Sequence, residues 1–265
     1  MRCCERMLFI VGLLAICAVA PGQDAKKIVA QSVHAELAAD DADHSRWIYF
    51  EVDRKPDSSV KQWVAETGCG DLHRVVDENG NRLSEREQRS RIDAFARNDA
   101  TQAKQRKSDE HDDQQAREML KMLPEAFVWT RLSDQGGKTV LHFRPDPNFH
   151  PPSYQARVFA AMEGEMTVDD AEHRIASLKG RMIHDVTFGF GILGDLKAGG
   201  SFNVERRQVA PGIWQITETH VHIQGRALLF KSISDQEDDV KSQFQQITGN
   251  PSVASTEQRL MGQHT

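Results

Sequence analysis

The sequence predicts a mainly β, α+β fold: an incomplete antiparallel β-barrel with a helical lid. Three observations lead there. First, from Gln155 to Ile233 apolar residues alternate with polar ones, as in Met166/Val168, Val186/Phe188/Phe190, Phe202/Val204, Trp214/Ile216, Val221/Ile223 and Leu228/Phe230. Alternation with period two gives each strand one apolar and one wet face. Second, glycine-containing turns separate these strands, as antiparallel neighbours require. Third, a charge-dense stretch over 84–123 has helical composition and interrupts the strands.

The chain opens with Arg2 and Arg6, followed by an apolar run from Met7 to Ala20. A basic start, a short apolar run and small residues at Ala20 and Gly22 read as a secretory signal peptide over 1–22. The run is short of the roughly 20 residues needed to span a bilayer. No stable membrane span is therefore expected once the signal is cleaved, and the address is periplasmic or otherwise exported. Three of the four cysteines, Cys3, Cys4 and Cys17, belong to this signal. Cys69 stands alone beyond it, so no internal disulfide is expected there. It reads either as a small residue between Gly68 and Gly70 or as a reactive thiol.

Residues 23–249 read as one domain. Ile28, Val29, Val33 and Leu37 are spaced for an amphipathic helix over Lys26–Ala39. Trp47–Asp53 follows as a strand with Ile48, Phe50 and Val52 on its apolar side, and Val60–Glu66 as another. His73–Leu83 has the form of a hairpin turning at Asn79-Gly80, a pair that tolerates the positive φ of tight turns. Ser84-Glu85-Arg86-Glu87 is a capping box, with Ser84 as cap and Glu87 reaching back. Helix is expected from there to Leu123, ended by Pro124.

Phe127–Leu132 and Thr139–Phe143 read as a second hairpin, turning at Asp134-Gln135-Gly136-Gly137. The run Arg144–Ser153 holds four prolines and reads as a surface loop. Ser153–Met162 adds a short helix before the β-rich run. Over 250–265 the sequence is polar and unpatterned, and a disordered tail is expected.

The formal net charge is −6, and loss of Arg2, Arg6 and Glu5 with the signal makes it one unit more negative. That balance disfavours nonspecific binding to nucleic acid or anionic lipid. Gly189-Phe190-Gly191-Ile192-Leu193-Gly194 matches G-x-G-x-x-G, but no helix follows to hold a pyrophosphate. His220 and His222 share one strand face and could hold zinc with a third ligand such as His173, His184 or Asp185. No H-E-x-x-H or Cys/His cluster accompanies them. Ser153, Ser201 and Ser232 lie in no nucleophile elbow, and Asp169-Asp170 reads as a turn. No enzyme, cofactor or metal is expected. A curved sheet must fill its interior or enclose a guest. Phe188, Phe190, Phe202, Trp214 and Phe230 are the candidate lining residues, either of a ligand site or of an ordinary core.

Three stretches carry a resemblance: Met162–Asp169 with His173-Arg174-Ile175 and Leu178-Lys179-Gly180; Asp185–Gly189 with Gly191 and Gly194; and Pro211–Trp214 with Gly225–Lys231. Together they resemble bacterial outer-membrane lipoprotein carriers and sorting proteins of the LolA/LolB type, over roughly Phe143 to Phe244. The resemblance implies an unclosed antiparallel barrel, helices capping it and an apolar cavity for acyl chains. It makes a lipid or lipoprotein the expected cargo and a cell-envelope protein a candidate partner. The charged segment 84–123 departs from a compact carrier as an insertion or elaborated lid. No motif carries over a docking or transfer activity. The alternative is a non-catalytic envelope interaction module with a filled core.

Overall fold

A computed structural model describes residues 21–68, 70–188, 194–227, 236–249 and 251–264. Residues 1–20 of the expected signal peptide, Cys69, the centre of the G-x-G-x-x-G match, and Phe190, Phe230 and Ser232 lie outside them, while Pro21 and Gly22 at the end of that expected signal open the first helix. The described residues form a mainly β structure built on one antiparallel sheet of eleven strands, with a small three-stranded sheet beside it.

The chain begins with α1 (Pro21–Ala42), then β1 (Trp47–Lys55), β2 (Ser58–Ala65), β3 (Leu72–Glu78) and the two-residue β4 (Asn81–Arg82). Asn79 and Gly80 take positive φ at the β3–β4 turn, the conformation that pair favours. Helices α2 (Glu85–Ala96) and α3 (Asp99–Ala126) follow. The capping box forms: Glu87 N–H donates to Ser84 Oγ, and Ser84 N–H donates to Glu87 Oε2. Pro124 lies inside α3, which runs two residues past it. Asn98 supplies the second cap, accepting from Thr101 N–H.

Next come β5 (Phe127–Gln135), β6 (Lys138–Pro145), a 3₁₀ helix (Gln155–Ala161), β7 (Met162–Asp169) and β8 (Ile175–Met182). The short β9 (Val186–Phe188), β10 (Gly194–Leu196) and β13 (Gly225–Ala227) make the small sheet. The long hairpin β11 (Ser201–Ala210) and β12 (Ile213–His222) returns to the main sheet. The last strand, β14 (Gln236–Gln246), inserts between β1 and β12. Main-sheet order is β4-β3-β2-β1-β14-β12-β11-β8-β7-β6-β5, with β4 and β5 at the two edges.

One element goes unnamed in the sequence reading and one expectation is corrected. Gln236–Gln246 is mostly polar and gives no clear apolar alternation, yet it forms β14 between β1 and β12. The expected disordered tail over 250–265 instead carries α4 (Val253–Met261). Ser252 caps it by accepting from Ser255 N–H, and Leu260 is completely buried. Arg74 of β3 donates to the carbonyls of Leu260, Met261 and Gln263 at the helix end. One apolar anchor and one arginine fork hold a segment whose composition alone looks structureless.

The two faces of the sheet are covered differently. On one face Ile48, Trp63, Ala65 and Leu72 pack with Ile92 of α2 and Leu260 of α4. The other face, here the inner face, carries Trp129, Leu141, Phe143 and Met166 under Val29 and Val33 of α1 and Leu123 of α3. The charged segment therefore divides. Its first helix lies on the outer face and only the second covers the inner one. The chain turns around the β3 edge between them, where Gln102 of α3 donates to the carbonyls of Phe95 and Ala96 at the end of α2.

Candidate ligand-binding site

Directly opposed residues of neighbouring strands point to the same face, so the register traces the inner face residue by residue. One row runs Leu141, Met166, Leu178, Val204, Thr219 from β6 to β12. It continues through Asp239 of β14 to Asp53 of β1 and Val60 of β2. The row changes from apolar to acidic as it crosses the sheet. It also changes in exposure. Leu141 and Met166 are completely buried, whereas Leu178, Val204, Thr219, Asp239 and Asp53 are only half-buried. Helices α1 and α3 thus seal the β5–β7 side and leave the central strands partly open.

The polar side is a built network. Gln62 donates to Glu51 Oε2 at 2.5 Å. Lys241 lies 3.6 Å from Glu51 Oε1 and 3.5 Å from Asp239 Oδ2. Lys55 bridges Asp53 Oδ2 at 2.6 Å and Glu237 Oε1 at 3.0 Å. Asp53 and Asp239 face each other across β1 and β14, and the Oδ1 of each is buried without a partner. Burial raises the Asp239 pKa to about 6, with Lys241 opposing and Glu51 and Asp53 adding to the rise. Burial lowers the Lys241 pKa, but Asp239 and Glu51 outweigh it and hold the ammonium charged.

Further along this face, burial pushes Asp71 up to about 6, helped by Asp109 of α3, and Glu66 up to about 7, helped by Asp71. His73 faces the same way, paired with Val64 of β2, and desolvation by the surrounding protein lowers its pKa. The facing stripe of α3 is polar too: Gln102 is buried, and Gln105, Ser108, Asp112 and Gln115 are half-buried, before Met119 begins the apolar part.

The borders of this region are well tied. On α1, Glu36 accepts from Arg174 Nη2 at 2.9 Å and from Ile175 N–H at 2.7 Å, and pairs with Arg206 at 2.5 Å. Burial works against its charge, but the two arginines outweigh it and keep the pKa below the usual range. At one end Val209, Ala210 and Ile213 of the β11–β12 hairpin pack on Trp47, Tyr49 and Val64. Burial pushes the Tyr49 phenol far up, so it stays neutral.

The expected lining residues fall in different places. Phe202 is on the inner face, half-buried against the main core. Its ring lies over Gly180, where an added Cβ would come within 2.8 Å of it. Trp214 is half-buried and its indole N–H donates to Glu172 Oε2 at 2.8 Å, near the β11–β12 tip. Phe188 ends β9 opposite Gly194, and its side chain lies outside the described part.

His220 and His222 share the outer face, where both contact Asp238 Oδ1, at 2.6 and 3.2 Å. That hydrogen bond to Asp238 raises the His220 pKa. Among the described residues no group of three or more His, Cys, Asp or Glu is placed to hold a metal. Ser153 accepts from Ala156 N–H at the 3₁₀ helix, and Asp169 accepts from Ala171 and Glu172 N–H as a turn residue does.

Fold and site together define a β-sheet protein with a half-covered, amphipathic inner face. Neither the known protein-family models nor the curated proteins compared with the chain give a match.

Proposed function

We propose that this is an exported binding or carrier protein that holds a lipid, an acyl chain or the lipid part of a lipoprotein. The guest lies against the inner face of an incomplete β-barrel, with α3 as its helical lid. The observation that carries the reading is the half-buried state of Leu178, Phe202 and Val204, in the middle of a sheet whose inner face is sealed on the β5–β7 side. Apolar side chains at the centre of a sheet are normally its most buried. Here they are left for a guest to cover.

Distances support curvature. Nine inter-strand spacings separate β3 from β5, which is about 43 Å in a flat sheet. Helix α3 reaches both edges. Gln105 lies against Gly70 beside β3, and the Leu123 carbonyl accepts from Trp129 Nε1 of β5 at 3.1 Å. The run from Gln105 to Leu123 rises only about 27 Å, so the edges must approach each other. Covering apolar surface is worth about 0.8 kcal/mol per methylene, so one acyl chain supplies useful affinity without a polar motif.

The test is to purify the protein without detergent from a cell that exports it, extract it with organic solvent and analyse the extract by mass spectrometry. Recovery of a stoichiometric lipid is expected. An empty extract, together with failure to bind the neutral single-chain probe dodecanol, would leave only an interaction module with a filled core.

A further inference from the structure

The inner face is graded, and the grading specifies more than an apolar guest. We propose that the site takes single-chain amphiphiles in one orientation, tail over β8 and β11 and a cationic, hydrogen-bond-donating head over β14 and β1. This inference rests on the carrier reading above.

The tail end is the half-buried apolar patch of Leu178, Val204 and Phe202. The head end begins one strand away. Thr219 of β12 separates Val204 from Asp239, and Asp53 lies directly beyond. At about 4.8 Å per strand, Val204 and Asp53 are about 14 Å apart along the sheet, within the length of one amphiphile.

The charge of the head follows from the donors and acceptors present. Among the described residues, Asp53, Asp239 and Glu51 lie against Lys55 and Lys241, and Glu51 also accepts from Gln62. Each aspartate spends Oδ2 on a lysine and keeps Oδ1 buried with no partner. An ionised carboxylate is acceptor-only, so what complements two opposed orphan oxygens is a hydrogen-bond donor, and best one that also carries positive charge. An ammonium does this and also reduces the excess negative charge. An anionic head meets Asp53, Asp239 and Glu51 and finds both lysines already engaged. A neutral ester gives the orphan oxygens nothing.

The experiment compares dodecylamine, dodecanol and dodecanoate, which share one tail, by titration calorimetry at neutral pH and submicellar concentration. Dodecylamine is expected to bind about tenfold more tightly than dodecanol, and dodecanoate more weakly than either. In Asp53→Asn/Asp239→Asn the amine should fall to the level of dodecanol while dodecanol is unchanged. Should the double variant not fold, each single variant should lose part of the preference. Glu110→Gln/Glu118→Gln changes the net charge equally on exposed positions of α3 and should keep the preference.

Equal binding of amine and carboxylate, or a preference that survives the aspartate changes, overturns the proposal. If dodecanol binds with no head preference, only this inference falls. If none of the three binds, the carrier reading falls with it.

Discussion

Glu36 shows how much one side chain can hold together. It joins α1 to β8 and β11 through two arginines and a backbone amide, in a setting where Glu36 and Arg174 are 7% and 8% exposed. Removing one partner of such a set leaves buried charge without compensation, at a cost of about 3–5 kcal/mol. We expect Glu36→Gln to destabilise the protein by that order in urea unfolding. A change below ~1 kcal/mol would show that water reaches the arginines. Gly180 is the second such residue. An added Cβ there would meet the Glu163 carbonyl oxygen at 2.5 Å and the Phe202 ring at 2.8 Å, so Gly180→Ala should cost about 1–3 kcal/mol through overpacking. It should also weaken dodecanol binding, because a shift of the Phe202 ring changes the lining of the site. Unaltered affinity would remove Phe202 from the lining. The sequence points to Phe202 through alternation, but Glu36, Arg174 and Arg206 are far apart in the chain and no local pattern joins them.

At the scale of elements, the strongest local signals were legible. The capping box at Ser84, the Asn79-Gly80 turn and the Gly136-Gly137 turn all appear where their chemistry requires, the glycines and Asn79 with positive φ. Elements held by tertiary contacts were not legible. Strand β14 reads Gln-Glu-Asp-Asp-Val-Lys-Ser-Gln-Phe-Gln-Gln, and its period-two acids and lysine look like solvated chain until β1 and β12 flank it. Helix α4 depends on Leu260, which is 0% exposed. Leu260→Ala should cost about 2–5 kcal/mol and release α4 from β3. Hydrogen exchange would detect that as loss of protection confined to 253–261 and its contacts. If protection persists there, the Arg74 fork alone suffices. Helix α3 carries a polar inner stripe from Gln102 to Gln115 and an apolar one from Met119. That division matches the graded sheet beneath it and has no explanation in helix propensity.

For the whole molecule, the titrating groups set a pH dependence. Burial leads in raising Glu66 to about 7 and Asp71 and Asp239 to about 6. A carboxyl with a folded pKa above its unfolded value binds protons more tightly when folded. Its contribution is complete below the unfolded pKa of about 4 and is lost as pH rises through 6 to 7. His73 acts in the opposite sense, since its lowered pKa costs stability once pH falls below about 6.5. Glu36 is held below the usual range, and its contribution is lost in acid. Three carboxyls against one imidazole favour a melting temperature that is highest near pH 5 and falls by several degrees, about 2–4 °C per kcal/mol, toward pH 8. Asp239→Asn should flatten that slope. Calorimetry showing a melting temperature that climbs from pH 5 to pH 8 would contradict the assignment.

Across the molecule, the sequence alone determined that the chain is β-rich, where most turns and caps lie, and that a charged helical segment divides the strands. Those features depend on neighbours within a few residues, through backbone conformation, capping and side-chain period. Only the tertiary structure decided which face of each strand is the interior. Ile48, Phe50 and Val52 look like the core side of β1, but helices α2 and α4 cover Ile48 and Phe50 on the outer face. The alternate residues, Tyr49, Glu51 and Asp53, turn inward. Burying a carboxylate is costly unless a partner offsets it, and for Glu51 that partner, Lys241, comes from a strand distant in the chain. Such a site cannot be read from either segment by itself.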